Sequence, residues 1–133
     1  MQDRPTILEL LDAVRGFLEK DAVDALDGTA KFHARVAANV IAIVMRELEL
    51  EPLQLAEEWQ RLDQLLGAEP IPAPPDAMRA ALRARTEALC TRIRAGDADS
   101  AEFRDAVLAH ARATVREKLA IANPKLRDKR DPS

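Results

Sequence analysis

Two histidines, one cysteine and a set of arginines are the residues of this 133-residue chain that could do chemistry. Their spacing fits none of the common catalytic patterns. There is no glycine-rich phosphate loop, no Gly-x-Ser-x-Gly, no His-Glu-x-x-His and no Cys-x-x-Cys. A di-iron carboxylate centre needs Glu-x-x-His on two helices, but Ala30 precedes His33 by three residues and Val107 precedes His110 by three. Cys90 is the only cysteine, too little for a structural zinc site, and no histidine lies beside it in sequence to activate it as a nucleophile. The sequence therefore assigns no catalytic residue, no metal and no cofactor.

Polar residues at unusual places remain. His33 falls inside the apolar arc of a helical stretch, between Val40 and Val44 on the wheel. It is either a structural imidazole with a hydrogen-bond partner or a ligand contact near a cavity. Arg35, Asn39 and Arg46 lie within about 40° of one another on the same helix. Two guanidiniums flanking an amide could hold a carboxylate or phosphate, or the three form a solvated stripe. Ala38 and Ala42 beside them would let another chain approach closely. A second basic set, Arg79, Arg83, Arg85, Arg92 and Arg94, faces a single Glu87 within its helix. Arg79, Arg83 and Arg94 share one side and could meet an acidic partner. Arg85 and Arg92 lie close to the buried stripe and join His33, Arg35, Asn39 and Arg46 as ligand-binding candidates. The bland alternative is surface pairing with neighbouring acids. Trp59, at the margin of its stripe, could anchor an interface or sit in the core. His110 lies on the edge of an apolar arc and Arg112 on its polar side.

These residues must be positioned by helices. Glycine occurs only four times, and no stretch alternates as a strand would. Five helices are expected. The first runs from about Ile7 to Lys20, with a Thr6/Glu9 capping box and a short extra turn over 21–26. The second runs from about Ala30 to Leu48 with Thr29 as cap, and Phe32, Val36, Val40, Ile43 and Val44 give it an apolar arc wider than half its circumference, the mark of a helix sunk among neighbours. The third starts at Pro52 and stops at Gly67. After the stiff connector from Glu69 to Pro75, the fourth follows Asp76 and ends at Gly96. The fifth starts near Ser100, with Asp99 and Glu102 as a cap pair, and ends at Asn123-Pro124. The expectation is an all-α protein: an antiparallel bundle of about five helices with a Pro-rich connector between helices 3 and 4. Residues 1–124 would form one domain, and 125–133 a charged, disordered tail.

Composition narrows the setting. A net charge of −3 and only 3% aromatic residues argue against nucleic-acid binding. No run of about 18 apolar residues is present, so no membrane span is expected. The opening Met1-Gln2-Asp3-Arg4-Pro5 does not read as a secretory signal. A lone cysteine suits a reducing cytoplasm.

Several blocks are similar to an uncharacterised bacterial all-helical family that carries a domain-of-unknown-function label. They are Gln2-Asp3-Arg4-Pro5, Phe32-His33-Ala34-Arg35-Val36-Ala37-Ala38-Asn39, Leu48-Glu49-Leu50, Leu89-Cys90-Thr91-Arg92-Ile93-Arg94-Ala95-Gly96 and Lys118-Leu119-Ala120-Ile121-Ala122-Asn123-Pro124. Members tend to be encoded beside aminoglycoside-phosphotransferase-like kinases and acyl-CoA dehydrogenases. The resemblance implies a setting, acyl-CoA or hydroxyacyl catabolism, and no activity. The leading expectation is a small non-catalytic helical protein that binds a partner: its own copy as a homodimer, or a neighbouring kinase or dehydrogenase. The alternative is a bundle that binds an acyl-CoA or a phosphorylated acid. A third reading is an enzyme built on His33 with Arg35 or His110.

Overall fold

The computed structural model describes residues 3–130, without the side chains of Asp128 and Arg130. Among the described residues the chain is all-α, with no strand. In chain order it forms α1 (Ile7–Phe17), a π-helical turn (Leu18–Ala22), α2 (Val23–Ala25), α3 (Gly28–Leu66), α4 (Pro75–Arg94), a 3-10 turn (Asp97–Asp99), α5 (Ala101–Ala122) and α6 (Pro124–Arg130). The chain divides into two compact units, residues 1–49 and 50–133. Of the expected tail, 131–133 lie outside the described residues, and Pro124–Arg130 is helical.

In the first unit, α1 begins as its sequence dictates. The Glu9 amide donates to Thr6 Oγ1 at 3.2 Å, and the Thr6 amide donates back to Glu9 Oε2 at 2.7 Å, which satisfies two of the donors that a helix start leaves orphaned. The extra turn expected after α1 is the π-helical turn plus α2. Asp27-Gly28 then breaks the path, with Gly28 at φ +57°, a conformation that glycine adopts without steric cost. The Lys31 amide reaches the Asp27 carbonyl across this start, and Thr29 lies inside the helix rather than capping it.

Packing within this unit departs from the expectation of a sunken central helix. The small buried cluster is Ala22, Val23 and Ala34, with Leu18 packed against it, and Ala38 is buried as well. Alanines on one side of α3 admit close approach of the backbone, so that is the side the chain covers. The branched and aromatic side chains of the wide arc point the other way. Phe32, Val36, Val40 and Val44 are exposed.

In the second unit, α3 carries Pro52 inside it. A fresh helix start at Pro52 was the expectation; the helix runs through instead. Proline has a helix-compatible φ, and its missing N–H removes one bond, the one to the Leu48 carbonyl. The core gathers Trp59, Leu62 and Leu65 of α3 with Leu82 and Leu89 of α4, against which Leu55, Met78, Phe103 and Val107 pack. Gly67, at φ +101°, stops α3, and its amide donates to the Asp63 carbonyl at 3.0 Å. The proline-rich connector joins α3 to α4. Gly96, at φ +99°, follows α4. The cap of α5 is Ser100, whose Oγ accepts from the Phe103 amide, so Asp99 and Glu102 are not its cap pair.

Candidate functional site

The first unit leaves large apolar side chains exposed on two helices. On α1, Ile7, Leu10, Val14 and Phe17 recur at spacings of three, four and three, the seam that one helix offers another. Ile7 is 64% exposed and Phe17 57%. On α3, Phe32 is 61% and Val40 50% exposed, with Val36 and Val44 also open. Isolated exposed leucines need no explanation, but each of these two helices carries a stripe of four exposed apolar side chains at helical spacing. His33 sits within this arc, exposed, its ring 5.9 Å from that of Phe32.

Arg35 and Asn39 line a shallow groove of about 370 Å³ together with Glu19, Val23, Ala38 and Ala42. Arg46 is half-buried on the same helix. The groove thus combines one cation and one amide with a carboxylate, and Glu19 would oppose an anionic guest lying there.

In the second unit, two of the candidate arginines are engaged internally. Arg85 is 4% exposed. It pairs with Asp63 at 2.7 Å, donates to the Gly67 carbonyl at 2.6 Å and stacks its guanidinium 4.5 Å from the centre of the Trp59 ring. Its Nε is buried without a hydrogen-bond partner, with Glu69 Oε1 3.8 Å away. Arg92 donates to Asp97 at 2.6 Å and to the Leu65 carbonyl at 2.7 Å, over the ring of Phe103. Both clamp the C-terminal end of α3 to α4, where its last carbonyls have no helical partner. Trp59 is 1% exposed, at the centre of the core, and its indole N–H donates to the Glu69 carbonyl at 3.3 Å. Arg79 holds Glu51 and Asp76, and its bonds to Glu51 keep that carboxyl below the usual carboxylate range. Arg83 and Arg94 are exposed on α4.

A polar cluster that sequence reasoning missed joins α3 to α5. Arg61 binds Glu117 through both oxygens, at 2.6 and 2.7 Å, and its Nε–H points at His110 Nδ1 at 3.4 Å. Because Nδ1 accepts, the neutral imidazole carries its proton on Nε2. His110 is buried, and burial, seconded by the Arg61 charge, pushes its pKa below the ordinary 6.5. Beside it, burial and the charge of Glu117 push Glu58 above the ordinary carboxyl value. Both line an open groove of about 690 Å³ whose apolar floor includes Leu55, Leu82, Leu89 and Val107 and whose polar groups include Thr86, Arg83 and Lys118. The sequence signals for this cluster were His110 on the edge of its apolar arc and Arg61 next to the buried Leu62; nothing in the sequence showed that they meet across helices.

Among the described residues, no group of three or more His, Cys, Asp or Glu side chains is placed to hold a metal ion, and no helix is long and apolar enough to cross a membrane. Fold and surface together define a small all-helical protein built of two units, the first of which leaves apolar stripes of α1 and α3 exposed. A family model described as Domain of unknown function (DUF6285) matches residues 24–126, and the chain belongs to that family. No curated protein and no solved structure matches the chain.

Proposed function

We propose that this protein is a non-catalytic interaction protein, and that it works by presenting the apolar face of its first unit to another protein. The observation that carries this reading is the exposure of Ile7, Phe17, Phe32 and Val40 on two helices of one unit. Burying a Val, Leu, Ile or Phe side chain gains about 1.5–3 kcal/mol. A unit whose own core is three small residues and a leucine leaves most of that gain for a partner to supply.

The resemblance to bacterial proteins encoded beside aminoglycoside-phosphotransferase-like kinases and acyl-CoA dehydrogenases supports a cytoplasmic accessory role in acyl-CoA or hydroxyacyl catabolism. The test is co-purification of the full chain with each of these neighbours, for the wild type and for a Val36→Asp/Val40→Asp variant. The reading expects assembly that the variant abolishes. A wild type that associates with neither neighbour nor itself would overturn it.

A second reading, a binding protein for an acyl-CoA or phosphorylated acid, is favoured by the groove of the second unit. An aliphatic floor lies there beside Arg83, Lys118 and the imidazole of His110. Among the earlier ligand candidates, Arg35 and Asn39 keep a groove of their own. Thermal melting with acyl-CoAs decides it, because a ligand that binds only the folded state raises the midpoint by mass action. An unchanged midpoint at millimolar ligand removes this reading.

A further inference from the structure

We infer that the open groove of the second unit holds an aliphatic acyl group, with the Nε2–H of His110 donating to its uncharged carbonyl oxygen. This rests on the small-molecule reading above and deepens it: what the groove recognises is the acyl chain and its carbonyl, not a phosphate.

Three observations carry it. The first is a buried donor without an acceptor. His110 is 8% exposed, and Arg61 takes its Nδ1 at 3.4 Å. Among the described residues its Nε2–H has no acceptor, and the atom is not sealed in as Arg85 Nε is. Buried polar groups find partners. The two ring nitrogens point in nearly opposite directions, so Nε2–H turns away from Arg61. Of the two grooves that His110 lines, Arg61 walls the smaller and is absent from the larger. Burial and the Arg61 charge hold the imidazole pKa below 6.5, so at neutral pH it meets a ligand as an uncharged donor.

The second is what lies on either side of that donor. Residues 95–100 join α4 to α5, and Arg92 lies over the Phe103 ring, so the two helices run back along one another from that end. Leu89, Ile93 and Val107 line the groove near the turn, and Arg83 and Lys118 line it farther out. From Ile93 back to Arg83 is ten residues, about 15 Å of helix. An apolar stretch that ends at one placed donor is the make-up of a small-molecule site. The chain lies toward Ile93, and the rest of the ligand leaves past Thr114.

The third is charge. In the lining, Arg83 and Lys118 stand against Glu58 and Glu87, and Arg79 is taken by Glu51 and Asp76. The wall has no surplus of cations, so a doubly charged phosphate would meet two carboxylates there. An uncharged carbonyl meets no such repulsion.

The experiment is titration calorimetry on the full chain with three probes of one chain length. They are S-octanoyl-N-acetylcysteamine, its thioether analogue S-octyl-N-acetylcysteamine, which lacks the carbonyl oxygen, and octyl phosphate. The wild type should bind the thioester about tenfold more tightly than the thioether, the size of one hydrogen bond, and octyl phosphate more weakly than the thioester. His110→Phe keeps a ring and removes the donor, so it should bind thioester and thioether alike. Should that variant unfold, Ile93→Asp at the apolar end should weaken both, while Leu108→Asp, in a different groove on α5, should change neither.

A wild type that binds thioester and thioether alike overturns the inference, because Nε2–H then serves solvent alone. Unchanged binding in Ile93→Asp places the chain elsewhere and also overturns it. If octyl phosphate is the tightest probe, the inference fails while the phosphorylated-acid form of the earlier reading stands. Silence from all three overturns the inference; acyl-CoAs that still raise the melting midpoint then keep the wider reading, and an unchanged midpoint removes both.

Discussion

Arg85 is the residue on which the second unit depends most for its polar balance. It is a buried cation paired with Asp63, bonded to the Gly67 carbonyl and stacked on Trp59. Arg85→Ala leaves the Gly67 carbonyl without its side-chain donor and the Asp63 carboxylate without its cation, with only the Glu69 amide still donating to it. Breaking a buried pair costs about 3–5 kcal/mol, and the lower end applies because the Asp63 side chain keeps 27% exposure. Urea denaturation should show this loss, and Arg85→Met combined with Asp63→Leu should recover much of it.

Titration in the groove runs in two opposing directions. The folded pKa of His110 lies below 6.5. As pH falls below 6.5 the unfolded chain takes up a proton that the folded imidazole refuses, so this group makes stability fall toward acid. The folded pKa of Glu58 lies above 4.5. Between 4.5 and that higher value the folded state holds more protons than the unfolded one, so this group makes stability rise toward acid. Glu58→Gln removes the second contribution alone. Stability measured from pH 7 to 4.5 should therefore fall more steeply in the variant than in the wild type, and a parallel pair of curves would contradict the assignment. His110 was legible as a histidine on the edge of an apolar arc, but the surroundings of both groups were not, for one reason. A wheel shows which side of a helix a residue occupies, but not that Arg61 of one helix faces Glu117 and His110 of another. His33, which the wheel placed correctly inside an apolar arc, is exposed because the arc itself is uncovered.

At the scale of elements, local chemistry was legible. The Thr6/Glu9 box, the stop at Gly67, the stop at Gly96 and the end at Asn123 all stand where short-range rules put them. Each depends on hydrogen bonds or φ values within four residues. Pro52 is the exception. Its sequence signal reads as a first helical position, yet α3 passes through it from Gly28 to Leu66. Helical φ suits proline, and the cost is one bond plus crowding against the preceding turn, which good helix formers on both sides can bear. Pro52→Ala should therefore stabilise the protein, by up to about 3 kcal/mol. A rise in the melting midpoint checks it, while a fall would mean that the break in the ladder is needed for packing. The side of α3 that packs was not legible. Periodicity identified a wide apolar arc and assumed that the large side chains were the buried ones. The chain instead covers the alanine side, Ala34 and Ala38, because small residues allow the closest helix approach, and the larger side chains remain outside.

For the whole molecule, the uncovered arc changes what the sequence pattern means. Apolar patterning reports that a surface is to be removed from water, without saying whether the same chain removes it. The second unit closes its own core around Trp59 and Leu62. The first does not, and a family model that begins at Asp24 includes the α3 half of its face. If the first unit works by docking, as proposed, Val40 is covered in the working form. The most direct test is the maleimide labelling rate of Val40→Cys in a Cys90→Ser background, compared in the purified protein at micromolar concentration with Ala84→Cys, an exposed position on α4. Burial in an interface slows labelling to the rate of opening, so Val40→Cys should react roughly tenfold or more slowly than the control and speed up on dilution. Equal rates at every concentration would show that the face stands open to water and would contradict the account.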